Sequence, residues 1–226
     1  FKSLIDLKAN FYNVYSFLKQ KECQNQYKKL VSERNIFCKS RFAVFYLHFQ
    51  PEETTLPTGK IFSQQLIAIQ YLINAIKPLG INLVVREHPM TFKNHFNSTW
   101  RSKNFYSVIK NIDKDIIFDD VKYDRKSLLV NSILTASISG TILVESSIMG
   151  IPTVCFGNHN LQNLKEDYIV DKFKDAVDLR NKISKALSLK KCEIQKSMHN
   201  NLNQLFERTF GSYEFKGSKN FNVDEF

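Results

Sequence analysis

Continuous apolar runs and stripes of helical periodicity alternate along the middle of the chain. The segment FAVFYLHF, at 42–49, is apolar and aromatic throughout, which is typical of a strand buried on both faces. Over 61–76 the apolar residues recur at helical spacing, and INLVVREH then returns to a strand pattern. The alternation continues with strands DIIF, SILTAS and PTVCF and with helices over 102–112, 124–131, 141–149, 175–189 and 193–210. It predicts an α/β fold with a doubly wound, Rossmann-like parallel sheet.

This pattern divides the chain into three parts. Residues 42–210 form the predicted Rossmann-like domain, 1–41 a basic amphipathic helical extension, and 211–226 a polar and aromatic tail without periodicity. The apolar stripe of the extension consists of Leu4, Leu7, Phe11, Val14, Tyr15 and Leu18. The helix could pack on the main domain, pack on a missing domain or lie on a membrane surface, and we expect it to pack. Because the chain starts with Phe1 instead of methionine, we interpret it as part of a longer protein.

The positive charge of the chain favours partners that are anionic. The formal net charge is +10, and residues 1–42 contain nine basic residues against three acidic ones. Such an excess suits an anionic partner, for example a nucleotide, an anionic glycan or a lipid headgroup. We do not expect nucleic acid, because the chain has no helix-turn-helix, RRM or KH signature.

The sequence also bears on location and metal content. No apolar run approaches the roughly 20 residues that span a bilayer, and we expect no signal peptide because Phe-Lys-Ser-Leu is not followed by a long apolar stretch. We therefore expect a cytoplasmic protein, with peripheral contact at the inner membrane through 1–41 as an option. We expect no metal, since neither the cysteines nor these histidines have metal-ligand spacing, and we expect no bound cofactor. These cysteines and histidines are Cys23, Cys38, Cys155, Cys192, His48, His95, His159 and His199.

The first candidate motif is Ser139-Gly140-Thr141, between the predicted fourth strand and the following helix. Free backbone N–H groups at a helix amino terminus stabilise an anion, and Gly140 would let a ligand approach closely. The hydroxyls of Ser139 and Thr141 could add donors, and Glu145, one turn later, could accept from both hydroxyls of a ribose. The alternative is that Ser139 simply caps the helix and Glu145 is solvated.

The second motif is His88-Pro89, directly after the second strand. The proline stops the strand and fixes the direction of the exit loop. His88 would then lie at the ligand edge of the sheet, where its imidazole can donate to a phosphate oxygen. The alternative is a histidine that bonds a nearby carbonyl.

The third motif is the loop after the first strand, which contains Gln50, Glu52 and Glu53. Glu52 or Glu53 could act as general base or nucleophile at a sugar carbon. We group Gln50 with the ligand-binding residues of the other two motifs. The alternative is a solvated acidic loop, or Glu52 fixing the loop through backbone bonds.

Together these segments resemble the capsule polysaccharide biosynthesis/export family, which includes bacterial β-Kdo transferases. The resemblance covers 42–157 and is carried by YLHFQPEETTLPTG with IFSQQLIAIQYL, then REHP, then SISGTILVESSIMGIPTVCFG. It implies the nucleotide-binding, carboxyl-terminal half of a GT-B-type glycosyltransferase that uses a CMP-activated acidic sugar such as CMP-Kdo. It also implies that His88-Pro89 and Ser139-Gly140-Thr141 hold the CMP phosphate and that Glu145 contacts ribose or base.

Two features depart from that family's pattern. The transferases carry an aspartate in the loop after the first strand, where this chain has Glu52, Glu53, Thr54 and Thr55. GT-B enzymes also need an amino-terminal acceptor domain, and 1–41 is too short to be one. The alternatives are a non-catalytic nucleotide-sugar-binding or assembly subunit of a capsule export machine, and a UDP-sugar 2-epimerase-like enzyme. The expected partners are a nucleotide sugar and a glycan or glycolipid acceptor.

Overall fold

The computed structural model describes residues 2–32, 40–50, 59–93, 101–102, 104–158, 164 and 166–210, and side chains within these ranges from residue 11 to residue 205. The strands are β1 (Phe42–Tyr46), β2 (Asn82–Arg86), β3 (Ile117–Phe118), β4 (Leu134–Ser137), β5 (Thr153–Cys155) and β6 (Ile169–Val170). The α-helices are α1 (Lys2–Leu30), α2 (Gln65–Ile76), α3 (Phe105–Ile112), α4 (Arg125–Asn131), α5 (Thr141–Ile148), α6 (Ala176–Ser188) and α7 (Lys191–Phe210). Short 3-10 turns occupy Lys60–Ser63, Lys77–Leu79 and Pro89–Phe92.

All strand pairs in the sheet are parallel, in the order β3-β2-β1-β4-β5-β6. Successive residues of a strand point to opposite sides of the sheet, so the apolar strands have two apolar faces, and helices cover both of them. Ala43 and Phe45 of β1 pack in the layer formed by α1, α2, α3 and α6, whereas Phe42 and Val44 pack against α4, α5 and α7. The predicted doubly wound α/β fold is therefore confirmed.

Strand β1 ends three residues earlier than the apolar run predicts. After Tyr46 the peptide groups of His48 bond to side chains: its N–H donates to Gln65 Oε1 at 2.7 Å, and its carbonyl accepts from Arg101 at 2.6 Å. Strand β6 was not predicted, because its two residues lie in a largely polar stretch and give no periodic signal.

Helix α1 packs on the domain through its carboxyl-terminal half. Tyr27 is fully buried, and its hydroxyl donates to the carbonyl of Asp119 at 2.6 Å and accepts from the N–H of Glu87 at 3.0 Å. Just after the helix, Val31 forms a parallel bridge with Phe118 on the edge strand β3. The helix is thus attached to the carboxyl ends of β2 and β3.

Helix α1 packs on the main domain, but where its side chains are described it does not do so through its apolar stripe. Phe11, Val14, Tyr15 and Leu18 are 78%, 57%, 53% and 60% exposed. The buried side of the helix is instead the opposite one, formed by Ser16, Gln20, Cys23 and Tyr27. Among the described residues, no helix is both long and apolar enough to cross a membrane.

Candidate functional site

The strand order reverses between β1 and β4, which lie side by side in the middle of the sheet. The chain continues from β1 to its neighbour β2 towards one edge of the sheet, and from β4 to its neighbour β5 towards the other edge. Two polar segments leave the sheet at this point: His48 to Gln50 after β1, and Ser139 to Thr141 after β4. Ligands of open parallel sheets bind in the crevice outside the carboxyl ends of the strands at such a reversal.

The amino terminus of α5 lies at this reversal and has an unusual cap. Its N-cap residue is Gly140, with φ of 110°, a conformation that residues with a side chain rarely adopt. Helices α4 and α6 begin with Asp124 and Asp175, whose carboxylates each accept two backbone N–H groups of the first turn. Gln64 and Asn104, the N-cap residues of α2 and α3, make no side-chain cap bond, and neither does Gly140, so what distinguishes α5 is its glycine conformation and its place at the strand reversal, where the partial positive charge of a helix start would favour an anion.

His48 connects the ends of β1 and β4. Its Nε2 atom lies 3.0 Å from the amide nitrogen of Ser139 and also contacts the Ser139 carbonyl oxygen. A Cβ atom at Gly140 would lie 3.3 Å from His48 Cε1, so the glycine allows this close approach. Ser139 is buried by these contacts, whereas Thr141 is exposed at the surface. Of the two predicted hydroxyl donors, Thr141 is therefore the accessible one.

A buried ion pair joins the loops after β1 and β2. Arg101 donates from Nε to Glu87 Oε2 at 3.0 Å and from a terminal nitrogen to Oε1 at 2.9 Å. The other terminal nitrogen donates to Gln50 Oε1 at 2.8 Å. Burial lowers the pKa of the Arg101 guanidinium, but the neighbouring Glu87 charge and its hydrogen bonds outweigh that effect and hold the pKa above its usual value. Arg101 thus fixes two of the three predicted motifs relative to each other.

His88 and Pro89 lie at the end of β2, as predicted, but the imidazole is partly committed to the local backbone. His88 Nδ1 accepts from the N–H of Met90 at 3.2 Å, where a bond to a carbonyl was the alternative considered. The His88 ring centroid is 5.6 Å from that of Phe49, which follows His48. Pro89 is exposed and begins the Pro89–Phe92 turn. The second motif therefore adjoins the first strand's exit segment.

Glu145 lies one turn into α5 and forms an ion pair with Arg125 at 2.7 Å; their side chains are 33% and 52% exposed. Exposed pairs of this kind contribute little to stability, so the carboxylate can exchange partners at low cost. Tyr46, the last residue of β1, has a buried hydroxyl with no hydrogen-bond partner in the described part of the chain. Burial raises the pKa of the Tyr46 phenol, which keeps it a neutral donor.

Not every predicted site residue can be placed. Glu52 and Glu53, the predicted catalytic pair, lie outside the described residues. Gln50 is placed, and its amide is occupied by Arg101 on one side and by the Ser63 carbonyl, at 3.2 Å, on the other. It therefore has a positioning role in this structure. In the described ranges, no three His, Cys, Asp or Glu side chains group closely enough to hold a metal ion.

Sequence reasoning missed Arg101 and His48. Arg101 follows Trp100 in a stretch without periodicity, and nothing in the sequence links it to Glu87, fourteen positions earlier. His48 was set aside with the histidines that lack metal spacing. Its position two residues past the end of β1 was the available signal, since polar residues at strand ends of a parallel sheet face the crevice.

Comparison with known proteins finds similarity in fold only. No family model and no curated protein sequence matches the chain. Among solved structures, the UDP-GlcNAc 2-epimerase of Methanocaldococcus jannaschii has a TM-score of 0.49 at 16% identity, over 80% of this chain and 48% of that one. The β-Kdo 2,7 transferase KpsC of Thermosulfurimonas dismutans has a TM-score of 0.45 at 10% identity, over 75% and 52%. The UDP-GlcNAc 2-epimerase of Neisseria meningitidis, bound to UDP-GlcNAc, has a TM-score of 0.45 at 12% identity, over 86% of this chain and 52% of that one.

This chain spans about half the length of those three proteins. At such identities and TM-scores the likeness adds no argument about substrate or activity. A functional proposal therefore rests on the geometry of the site and on the sequence motifs that form it.

Proposed function

We propose that this chain is the nucleotide-sugar-binding half of a glycosyltransferase in capsule or surface polysaccharide synthesis, with a CMP-linked acidic sugar such as CMP-Kdo as donor. The observation that carries the proposal is the start of α5. It is a helix amino terminus at the strand reversal, with Gly140 instead of an aspartate as its cap. The resemblance of the three motifs to the capsule family supports the choice of donor.

In the proposed reaction, the bond between the sugar's anomeric carbon and the phosphate oxygen of CMP breaks while an acceptor oxygen bonds to that carbon. Negative charge then builds on the departing phosphate. The first N–H groups of α5, the Thr141 hydroxyl and the His88 imidazole would stabilise it without a metal ion. Glu52 or Glu53 would take the proton of the acceptor hydroxyl.

Selectivity for a nucleotide would come from Glu145. Its carboxylate would leave Arg125 and accept from the ribose hydroxyls, and the cost is small because the pair is partly exposed. The Arg125 guanidinium released in this way could then approach the phosphate. The Tyr46 hydroxyl, buried at the end of β1 without a partner among the described residues, would be a further donor.

The test is thermal stabilisation of the chain by CMP, CDP, UDP, GDP and ADP. A ligand at about a hundred times its dissociation constant should add roughly 2.7 kcal/mol to the free energy of unfolding. We expect CMP to stabilise selectively, and His88→Ala and Glu145→Gln to lose the effect. His199→Ala is the matched control, because His199 is an exposed histidine on α7.

Other outcomes separate the alternatives. A preference for UDP would favour the epimerase-like enzyme over the transferase. If CMP binds and Glu52→Gln and Glu53→Gln leave the function of the whole protein intact, the chain is a non-catalytic binding subunit. No stabilisation by any nucleotide would contradict the proposal.

We also propose that α1 contacts an anionic membrane surface. The observation behind this is the exposed apolar face of the helix, which includes Phe11, Val14, Tyr15 and Leu18. Large contiguous apolar patches on a protein surface mark interaction sites. The helix carries six lysines against two acidic residues, Asp6 and Glu22, which is complementary to anionic lipid headgroups.

Vesicle co-sedimentation tests this contact. We expect binding to phosphatidylglycerol vesicles, little binding to phosphatidylcholine vesicles, and loss of binding in Phe11→Ser and Val14→Ser. Val177→Ser is the control, since Val14 and Val177 are both 57% exposed but lie on different helices. If the chain ignores vesicles and instead forms a dimer that Phe11→Ser dissociates, the face binds a second copy.

A further inference from the structure

A cavity of about 330 Å³ lies at the carboxyl ends of β2 and β3, between α1, the Pro89–Phe92 turn and the loop that follows β3. It is lined by Gln24, Tyr27, Lys28, Pro89, Phe92, Lys93, Asp120, Val121 and Lys122. Its volume is at the small end of the range for ligand pockets, which runs from about 300 to 1,000 Å³. Pro89 is the one lining residue that is also predicted to bind the nucleotide sugar.

The floor of the cavity is aromatic and fixed in place. The ring centroids of Tyr27 and Phe92 are 5.3 Å apart. The Tyr27 hydroxyl is turned inward, where it bonds to the Asp119 carbonyl and the Glu87 N–H, so the cavity meets the ring of this side chain. A floor held in this way loses little entropy when a ligand is bound.

The loop after β3, which forms one wall of the cavity, is fixed in place by Arg86. The buried Arg86 forms an ion pair with Asp119 and donates to the carbonyls of Asp120 at 3.1 Å, Val121 at 3.2 Å and Tyr123 at 2.8 Å. These four contacts fix the loop backbone through one guanidinium. The shape of the cavity is therefore set before a ligand arrives.

The rim carries an unbalanced positive charge. Lys28, Lys93 and Lys122 are exposed, and among the described residues none of the three ammonium groups has a carboxylate within ion-pair distance. Exposed lysines elsewhere do pair, for example Lys185 with Asp167 at 2.9 Å. The single acidic residue of the lining is Asp120, and its carboxylate accepts from the Lys122 backbone N–H at 3.0 Å.

We propose that this cavity binds an acidic monosaccharide unit, a sugar ring that carries a carboxylate or a phosphate. The three lysines would bind the anionic group, and the aromatic floor would contact the apolar face of the ring. The volume admits one ring and excludes a longer oligosaccharide from the interior. The site is separate from the amino terminus of α5 and does not depend on which nucleotide, if any, binds there.

Isothermal titration calorimetry on the 226-residue chain tests this site, with glucose 6-phosphate, glucuronate, inorganic phosphate and glucose as probes. We expect the two charged sugars to bind, glucose not to bind, and inorganic phosphate to bind more weakly than glucose 6-phosphate. Lys93→Gln and Lys122→Gln should each weaken binding about fivefold, as expected for one ammonium close to a charge in water. Lys196→Gln is the control, because Lys196 is an exposed lysine on α7 outside the cavity.

Several results would overturn the proposal. These are equal binding of glucose and glucose 6-phosphate, unchanged affinity in both lysine variants, or no heat with either charged sugar. If inorganic phosphate binds as tightly as glucose 6-phosphate, the sugar ring adds nothing to the affinity. The proposed contact between the ring and the aromatic floor would then be rejected. Stabilisation by CMP should persist in Lys93→Gln, so a failure at this cavity is distinguishable from a failure of the proposed nucleotide site.

Discussion

Replacing Arg101 with methionine removes the cation that holds the loops after β1 and β2 together. The guanidinium makes two bonds to Glu87, one to the Gln50 side chain and one to the His48 carbonyl. Methionine fills similar volume but makes none of these bonds. Glu87 would then be a buried carboxylate without its counter-charge.

Removing one partner of a buried ion pair costs about 3–5 kcal/mol. A domain of this size has a total stability of about 5–15 kcal/mol, so Arg101→Met should remain folded in water but with a much lower urea midpoint. Urea unfolding followed by far-UV circular dichroism measures the loss. The matched control is Arg125→Met, because the Arg125–Glu145 pair is partly exposed and its removal should cost about 1 kcal/mol or less.

A double-mutant cycle isolates the pair itself. Glu87→Gln combined with Arg101→Met removes both charges, so the double variant should be more stable than the sum of the two single losses predicts, by roughly 0.5–3 kcal/mol. A free energy of unfolding for Arg101→Met within about 1 kcal/mol of the unsubstituted chain would refute this reasoning. So would a double variant whose loss of stability equals the sum of the two single losses.

Three further predictions concern local features. Asp124→Ala removes the cap of α4 and should cost about 1 kcal/mol in urea unfolding; an unchanged midpoint would contradict the capping role. Gly140→Ala places a Cβ 3.3 Å from His48 in a backbone with φ of 110° and should cost about 1–3 kcal/mol by the same assay, where a neutral effect would mean that the turn relaxes freely. Burial raises the pKa of Cys155 to about 12, so a thiol reagent should label Cys192 in the native chain and Cys155 only after unfolding. Because that pKa is raised, the unfolded state loses the Cys155 proton first, so stability is complete below the ordinary thiol pKa and falls as pH rises toward 12; Cys155→Ala should make that fall shallower, and an equally steep fall in the variant would refute it.

Local signals in the sequence were sufficient for most of the fold. The buried strand FAVFY is a continuous apolar run, the strand NLVVR has an apolar centre, and Asp124 and Asp175 stand immediately before the helices they cap. Gly80, with φ of 65°, ends the turn that precedes β2. Each of these signals is contained within a few neighbouring residues, so periodicity and propensity could detect it.

The parts that were missed depend on contacts between distant positions. The burial of the polar side of α1 follows from hydrogen bonds such as that of Tyr27 to Asp119, 92 positions away, which outweigh the apolar stripe in deciding how the helix lies. His48 reaches Ser139 across 91 positions. Hydrophobic pattern carries no information about such pairs, and an exposed apolar stripe has the same pattern as a buried one.

The bridge between Val31 and Phe118 has a consequence for truncated forms of the chain. Strand β3 is one of the two outer strands of the sheet, the other being β6. The Ser32 N–H donates to the Phe118 carbonyl at 2.9 Å, so the segment after α1 occupies part of the outward hydrogen-bonding row of β3. An unprotected edge strand is a template for pairing with another molecule. A chain cut after residue 41 would expose that row together with the apolar surface under Tyr27. It should aggregate through this edge, while the intact chain keeps the edge covered.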